Sequence, residues 1–190
     1  MSETETTVSE LERQPVIIES AVPDDAAAIM AIKRAAWRDA YVNENLGVTD
    51  EDIDKRMGDM AIGIENWQRG LAGETEEGER MTFVARVNGE IAGYTSPHTI
   101  DGQRRIGALY VSPKAQGKGV GTKLLEKAVA WHGRERDVFL HVLGYNQNAI
   151  NFYERFGFEK TGREIPDEPE YGVTLPPEIE IVLRADSKSE

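Results

Sequence analysis

Hydrophobic and polar positions along this chain follow two rhythms, and the change from one to the other marks its elements. Pro15-Val16-Ile17-Ile18-Glu19-Ser20 reads as a strand, and Val22-Pro23-Asp24-Asp25 offers an aspartate cap to a helix whose Ile29, Ile32 and Ala36 recur at i, i+3 and i+7. From Thr49 onward, Ile53, Met57, Met60, Ile64, Trp67 and Leu71 fall at spacings of four, three, four, three and four. That period predicts one buried helical face, broken into two pieces at Gly58 and Gly63. Residues 73–80 have the composition of a solvated loop. Met81 to Val87 and Glu90 to Ser96 are β-rich runs around Asn88-Gly89, a pair that tolerates the positive φ angles of a type I′ hairpin turn.

The second half begins with a strand from Arg105 to Val111, stopped by Ser112-Pro113 because proline has no backbone donor to offer a ladder. Val120, Leu124, Ala128 and Trp131 trace one face of a helix. Val138 to Leu143 is a nearly continuous apolar run typical of a sheet centre. Asn146 to Phe156 reads as a short helix ended by Gly157, which suits a left-handed cap. Phe158 to Ile165 returns to strand, and an acidic, proline-bearing link leads to the alternating Glu178-Ile179-Glu180-Ile181-Val182-Leu183. Hairpins first and helix crossovers later predict an α/β fold on a mixed sheet of six or seven strands with about four helices.

Residues 1–14 carry no apolar periodicity and read as a flexible acidic arm, leaving residues 15–185 as the domain and 186–190 as a polar tail. With 22 basic and 34 acidic side chains the net charge is −12, which disfavours docking onto nucleic acid or anionic lipid. The chain has no cysteine, so disulfides, cysteine nucleophiles and thiolate metal sites are excluded, and no metal is expected. No apolar run approaches the ~18 residues a membrane span needs. Met1-Ser2-Glu3-Thr4-Glu5 lacks the basic and apolar regions of a signal peptide, so the expected compartment is cytoplasmic.

Against this acidic background, Arg104 to Lys127 holds six Lys or Arg and only Glu126 in opposition. The window contains Gln116-Gly117-Lys118-Gly119-Val120-Gly121-Thr122, placed between a strand and a helix. Glycines there let the backbone curl until several N–H groups and the positive end of the helix dipole face one anion, for which phosphate or pyrophosphate is the natural occupant. Two familiar phosphate-binding patterns do not match. In a P-loop register Ser112 stands where the first glycine belongs and Gly119 follows Lys118 in place of Ser or Thr; in a dinucleotide fingerprint Thr122 replaces the third glycine. A plain tight turn with surface lysines is the bland reading of the same residues.

The run Ala108-Leu109-Tyr110-Val111-Ser112-Pro113 followed by Gln116 to Thr122 resembles motif A of the GCN5-related N-acetyltransferase (GNAT) superfamily, whose pattern is Arg/Gln-x-x-Gly-x-Gly/Ala. Asn146 to Phe158 is similar to its motif B, Asn-x-x-Ala-x-x-x-Tyr-x-x-x-Gly-Phe. The resemblance covers roughly Pro15 to Leu183. It implies acetyl-CoA as cosubstrate and a GNAT fold splayed between the motif A strand and the strand after it. By the same resemblance the amides of Gln116, Gly117, Lys118, Gly119, Val120, Gly121 and Thr122 cradle the CoA pyrophosphate. Leu109, Tyr110 and Val111 would pair with the pantetheine arm, and Asn146 would bond its amide, although an asparagine there also suits a helix cap.

Acyl transfer to an amine needs a neutral nucleophile, stabilisation of developing oxyanion charge, and a proton for the leaving thiolate. The resemblance makes Tyr153 the general acid and the Val111 N–H the donor to the carbonyl; the alternative for Tyr153 is a plain core aromatic. Where many relatives carry a glutamate on the motif A strand this chain has Ala108, and where others carry one on the next strand it has His141. His141 is therefore the candidate base, direct or through water, against a hydrogen-bonded histidine in a central strand. His98 ranks below it, and His132 is expected to face solvent.

Asp50, Glu51, Asp52 and Asp54 read as a solvated face, with an entrance for a cationic acceptor as the sharper alternative. Trp37, Asp39 and Tyr41 faintly resemble polyamine and ribosomal-protein acetyltransferases. The resulting expectation is an N-acetyltransferase acting by direct attack in a ternary complex on a primary amine: a polyamine, a small-molecule amine or a peptide N-terminus. A non-catalytic CoA-binding regulatory module, or a scaffold that only borrows the fold, are the rivals. The family resemblance also allows a homodimer through exposed strand edges.

Overall fold

The computed structural model describes residues 15–74, 78–170 and 172–186. The arm expected over residues 1–14, and the tail beyond Asp186, lie outside the described residues. Seven strands form one sheet: β1 (Ile17–Ser20), β2 (Phe83–Val87), β3 (Glu90–Ile100), β4 (Gln103–Val111), β5 (Val138–Leu143), β6 (Glu159–Ile165) and β7 (Glu178–Leu183). Their order is β1-β2-β3-β4-β5-β7-β6. β4 and β5 run parallel; the other neighbours are antiparallel. The helices are α1 (Ala26–Tyr41), α2 (Asp50–Met57), α3 (Met60–Ala72), α4 (Val120–His132) and α5 (Gln147–Phe156).

Local chemistry explains most of the boundaries. Thr49 and Asp52 close a capping box on α2, and Asp59 Oδ1 accepts from the amides of Ala61 and Ile62 to start α3. The break therefore falls at Gly58-Asp59, and Gly63 lies inside α3, where its missing Cβ makes room for Met30. Asp25 sits at the start of α1 without capping it. Its carboxylate accepts instead from the Val22 amide and from Arg86. Asn88 and Gly89 take φ of 54° and 80°, as a type I′ turn requires. Asp101 and Gly102 repeat that device at φ of 51° and 74°, so β3 runs on to Ile100 and β4 starts at Gln103.

Alternation along the strands sorts the core into two layers. Val84 and Tyr94 pack with Ile29, Ile32 and Leu71 of α1 and α3, while Ala85 and Ala92 pack with Val120 and Leu124 of α4. Leu140, Ile181 and Leu183 meet Leu125, Ala128, Ile150 and Tyr153 of α4 and α5. Beyond the other end of β5, Tyr41, Val48, Ile53, Leu143, Val173 and Leu175 form a smaller cluster beneath the acidic link. Arg56 pins that link, bonding Asp167 and the carbonyls of Glu168 and Val173. No described helix is long and apolar enough to cross a membrane.

Candidate active site

The site originates in one irregularity of β4. Between the pairs Thr95↔Leu109 and Pro97↔Ile106, β3 advances two residues and β4 three, so Gly107 and Ala108 form a bulge. β5 is in register with β4 only at Arg104↔Val138 and Arg105↔Phe139. Past the bulge the two strands part, while β5 stays paired to β7 along its whole length. Backbone donors alternate along a strand, and the Ser112 N–H is bonded to the Ala92 carbonyl of β3 at 2.8 Å. The Val111 N–H consequently faces the split, as does that of Leu109.

A cavity of about 1160 Å³ fills the split and extends to the turn before α4. Gly117 and Gly119 there adopt φ of 72° and 80° with open space where a Cβ would stand. The first α4 bond runs from the Lys123 N–H to the Gly119 carbonyl, 3.2 Å, which leaves the Val120, Gly121 and Thr122 amides outside the helical ladder. Of the residues proposed from sequence, Leu109, Tyr110, Val111, Gln116, Gly117, Gly119, Gly121, Thr122 and Asn146 all line this cavity. Lys118 is exposed beside it, and Val120 turns its side chain into the core, so Val120 can serve only through the backbone. Asn146 Oδ1 accepts from the Ala149 amide at 3.1 Å and caps α5, with its amide nitrogen left as a donor.

Tyr153 and His141 also line the cavity. The Tyr153 ring packs edge-on against Phe152 and Phe158, and its residue is only 8% exposed. Burial, with smaller contributions from Tyr110 and Glu178, pushes the phenol well above the ordinary tyrosine range, so it stays protonated. His141 projects from β5 toward two β7 carboxylates: Nδ1 lies 3.9 Å from Glu178 and Nε2 lies 3.6 Å from Glu180. Arg105 Nη1 approaches the same Nε2 at 3.4 Å. Burial first and Arg105 second lower the His141 pKa, against the pull of both glutamates.

From α1, Tyr41 lines the cavity, with Trp37 packed against it. Trp37 stacks on Tyr41 with centroids 5.0 Å apart, and its Nε1 donates to the Tyr110 hydroxyl at 2.9 Å. Burial raises the Tyr110 pKa to about 12. The Tyr41 hydroxyl donates to Glu178 at 3.1 Å. Asp39 lines the cavity mouth and accepts from Gln116 at 3.4 Å.

Several expectations need correction. His132 is buried, 5% exposed, with Nε2 2.9 Å from the Arg105 carbonyl, because it rather than Trp131 takes the inward position at the end of α4. The acidic run of α2 is not among them: it is the solvated face the sequence favours and does not line the cavity, with Asp54 paired to Arg34 and Arg38, Asp50 to Arg38, Glu51 to Lys55, and Asp52 in the cap. The basic window disperses. Arg104 pairs with Glu135, Lys123 reaches the Val16 carbonyl, and Lys127 lies over Phe83. Glu178 and Arg105 were not singled out. Glu178 belongs to an alternating strand that gives no hint of its neighbour, and Arg105 was one charge among six.

Residues 32–158 match the family model described as Acetyltransferase (GNAT) family. The chain is 28% identical over 163 residues to "Probable N-acetyltransferase Rv2775" of Mycobacterium tuberculosis, covering 84% of this chain and 88% of that protein. It is also 28% identical over 153 residues to the mycothiol acetyltransferase of Mycolicibacterium gilvum, covering 75% of this chain and 45% of that protein. Among solved structures, PaiA N-acetyltransferase from Thermoplasma acidophilum in complex with coenzyme A superposes with a TM-score of 0.71 at 15% identity, covering 90% of this chain and 99% of that one. YncA from Salmonella typhimurium with its cofactor acetyl-CoA gives a TM-score of 0.64 at 24% identity, covering 93% and 97%.

Proposed function

The chain belongs to the GNAT acetyltransferase family, and from that premise we propose that it transfers an acetyl group from acetyl-CoA to a primary amine by direct attack in a ternary complex. The observation that carries this reading is the single cavity joining the glycine turn, the unpaired edge of β4 and the Tyr153 phenol. The residues present fit the cosubstrate. Three amides that lie outside the helical ladder at the positive end of α4 suit a diphosphate, and the open β4 edge offers a strand-like arm the donors that β5 has abandoned. Acetyl-CoA supplies the activated acyl group as a thioester.

The chain's own residues do the rest. The Val111 N–H meets negative charge developing on the carbonyl oxygen, and Asn146 donates to the arm beside it. Tyr153 protonates the departing sulfur; its raised pKa keeps that proton available across the neutral range. An alkylamine of pKa near 10.4 is neutral in only about one molecule in 2,500 at pH 7. Glu178 draws in the ammonium form, its small neutral fraction attacks the thioester carbonyl, and His141, held neutral by burial and Arg105, takes the proton that the attacking nitrogen still carries, directly or through water. Its low basicity suffices because the nitrogen becomes strongly acidic as the new C–N bond forms.

Release of CoA thiol from acetyl-CoA, followed across a panel of amines, tests the reading. Amine-dependent release with acetylated product is expected. A CoA-induced thermal shift without turnover of any amine would leave a CoA-binding module, and no shift with millimolar CoA would leave a scaffold.

A further inference from the structure

Arg105 is a cavity-lining arginine with no carboxylate partner among the described residues, in a chain that carries 34 acidic side chains. Its Nε donates to Gln103 Oε1 at 2.7 Å and its Nη2 bonds the same oxygen. That side-on hold leaves Nη1 directed across the split to His141. On the far side of the same imidazole stands Glu178, 3.9 Å from Nδ1, its carboxylate oriented by the Tyr41 hydroxyl. One ring thus separates a cation with no counter-ion among the described residues from an acceptor of cations. The second carboxylate near His141, on Glu180, is 2% exposed and already engaged by Arg163 and Thr161, so it does not neutralise Arg105 from within the cavity.

Resting on the acetyl-transfer reading above, we propose that the acceptor is a small amine that also carries a carboxylate, an amino-acid-like zwitterion. Its amine lies beside Glu178 and His141, and its carboxylate on Arg105. A half-buried guanidinium costs solvation wherever it is not paired, and a planar fork matches a carboxylate closely. The placement also disfavours a polyamine. Bound with one amine at Glu178, a diamine would drive its second ammonium toward Arg105 and the neighbouring His98, whose pKa Arg105 helps to lower. An arginine here makes local sense against a net charge of −12, which otherwise repels anionic substrates.

The test is a matched series in which each amino acid is assayed beside its carboxamide and its decarboxylated amine. For the wild type, kcat/KM is expected to favour the acid over the carboxamide by at least about tenfold, mostly through KM, as for a charge-assisted pair of about 1.4 kcal/mol or more. In Arg105→Gln that ratio should fall toward one. Arg105→Lys, which keeps the charge and loses the fork, should retain part of it. The wild-type ratio decides the case even if a variant does not fold. Preference for the neutral amines or for diamines, or an unchanged ratio in a folded Arg105→Gln, overturns the carboxylate anchor while acetyl transfer stands. CoA binding without turnover of any amine overturns both.

Discussion

Two side chains of the cavity carry roles that a single substitution separates from structure. Tyr153→Phe keeps the ring among Phe152, Phe158 and Ile150 and removes a hydroxyl that has no hydrogen-bond partner among the described residues. The expected result is a kcat about 10²-fold lower with an unchanged melting temperature and unchanged CoA binding; loss of stability with normal kcat would make it a core aromatic only. His141 titrates below 6.5, since burial and Arg105 outweigh Glu178 and Glu180. Activity toward a given amine should therefore rise with pH along an acid limb placed below 6.5, where the imidazole loses its proton. Rate against pH in His141→Gln checks this. The limb should vanish, and full wild-type rate from about pH 6 to 9 would remove His141 from the proton path.

At the level of elements, the opening between β4 and β5 depends on a bulge, and the bulge depends on a glycine. A Cβ on Gly107 would run into the His98 imidazole, which leans over the bulge from β3. Gly107→Ala should cost about 1–3 kcal/mol in denaturant unfolding, the range for overpacking. Weaker CoA binding should accompany the loss, because the bulged edge of β4 moves. Trimming the obstruction with His98→Ala should restore much of the stability in the double variant, a non-additivity that a double-mutant cycle reads directly. Additive losses would place the strain in the backbone of β4 rather than against His98. The α2 capping box and the Asn146 cap are independent of this device, so their neighbours should not couple to it.

Across the whole molecule, the three histidines share one direction of titration. His98, His132 and His141 are all lowered from 6.5, chiefly by burial. The unfolded chain therefore takes up protons near pH 6.5 that the folded chain refuses until lower pH. Stability is full above that value and declines as pH falls from it toward the folded-state values, by at most about 1.4 kcal/mol per pH unit for each proton. Melting temperatures at pH 7.5 and 5.5 check the decline. His132→Gln, which keeps a donor for the Arg105 carbonyl, should flatten it; an unchanged slope would mean that His132 titrates alike in both states.

Much of this architecture is legible along the chain because it rests on interactions that span only a few residues. The α4 and α5 stripes, the Asn88-Gly89 turn, the Gly157 cap and the glycine turn before α4 are local periodicities and local φ requirements, and motif spacing carries the family. The Asp101-Gly102 pair uses the same local device, but it ends a strand that runs four residues past the Glu90 to Ser96 stretch the pattern marks. What the chain could not disclose is long-range pairing. β7 enters between β5 and β6, and that insertion sets Glu178 and Glu180 against His141 across about forty residues of sequence. The β4 bulge brings Arg105 to the foot of the cavity, and the fold scatters a basic window that looks continuous in one dimension. Register between strands distant in sequence is fixed by packing of whole layers, so the polar groups that select an acceptor emerge only once those layers meet.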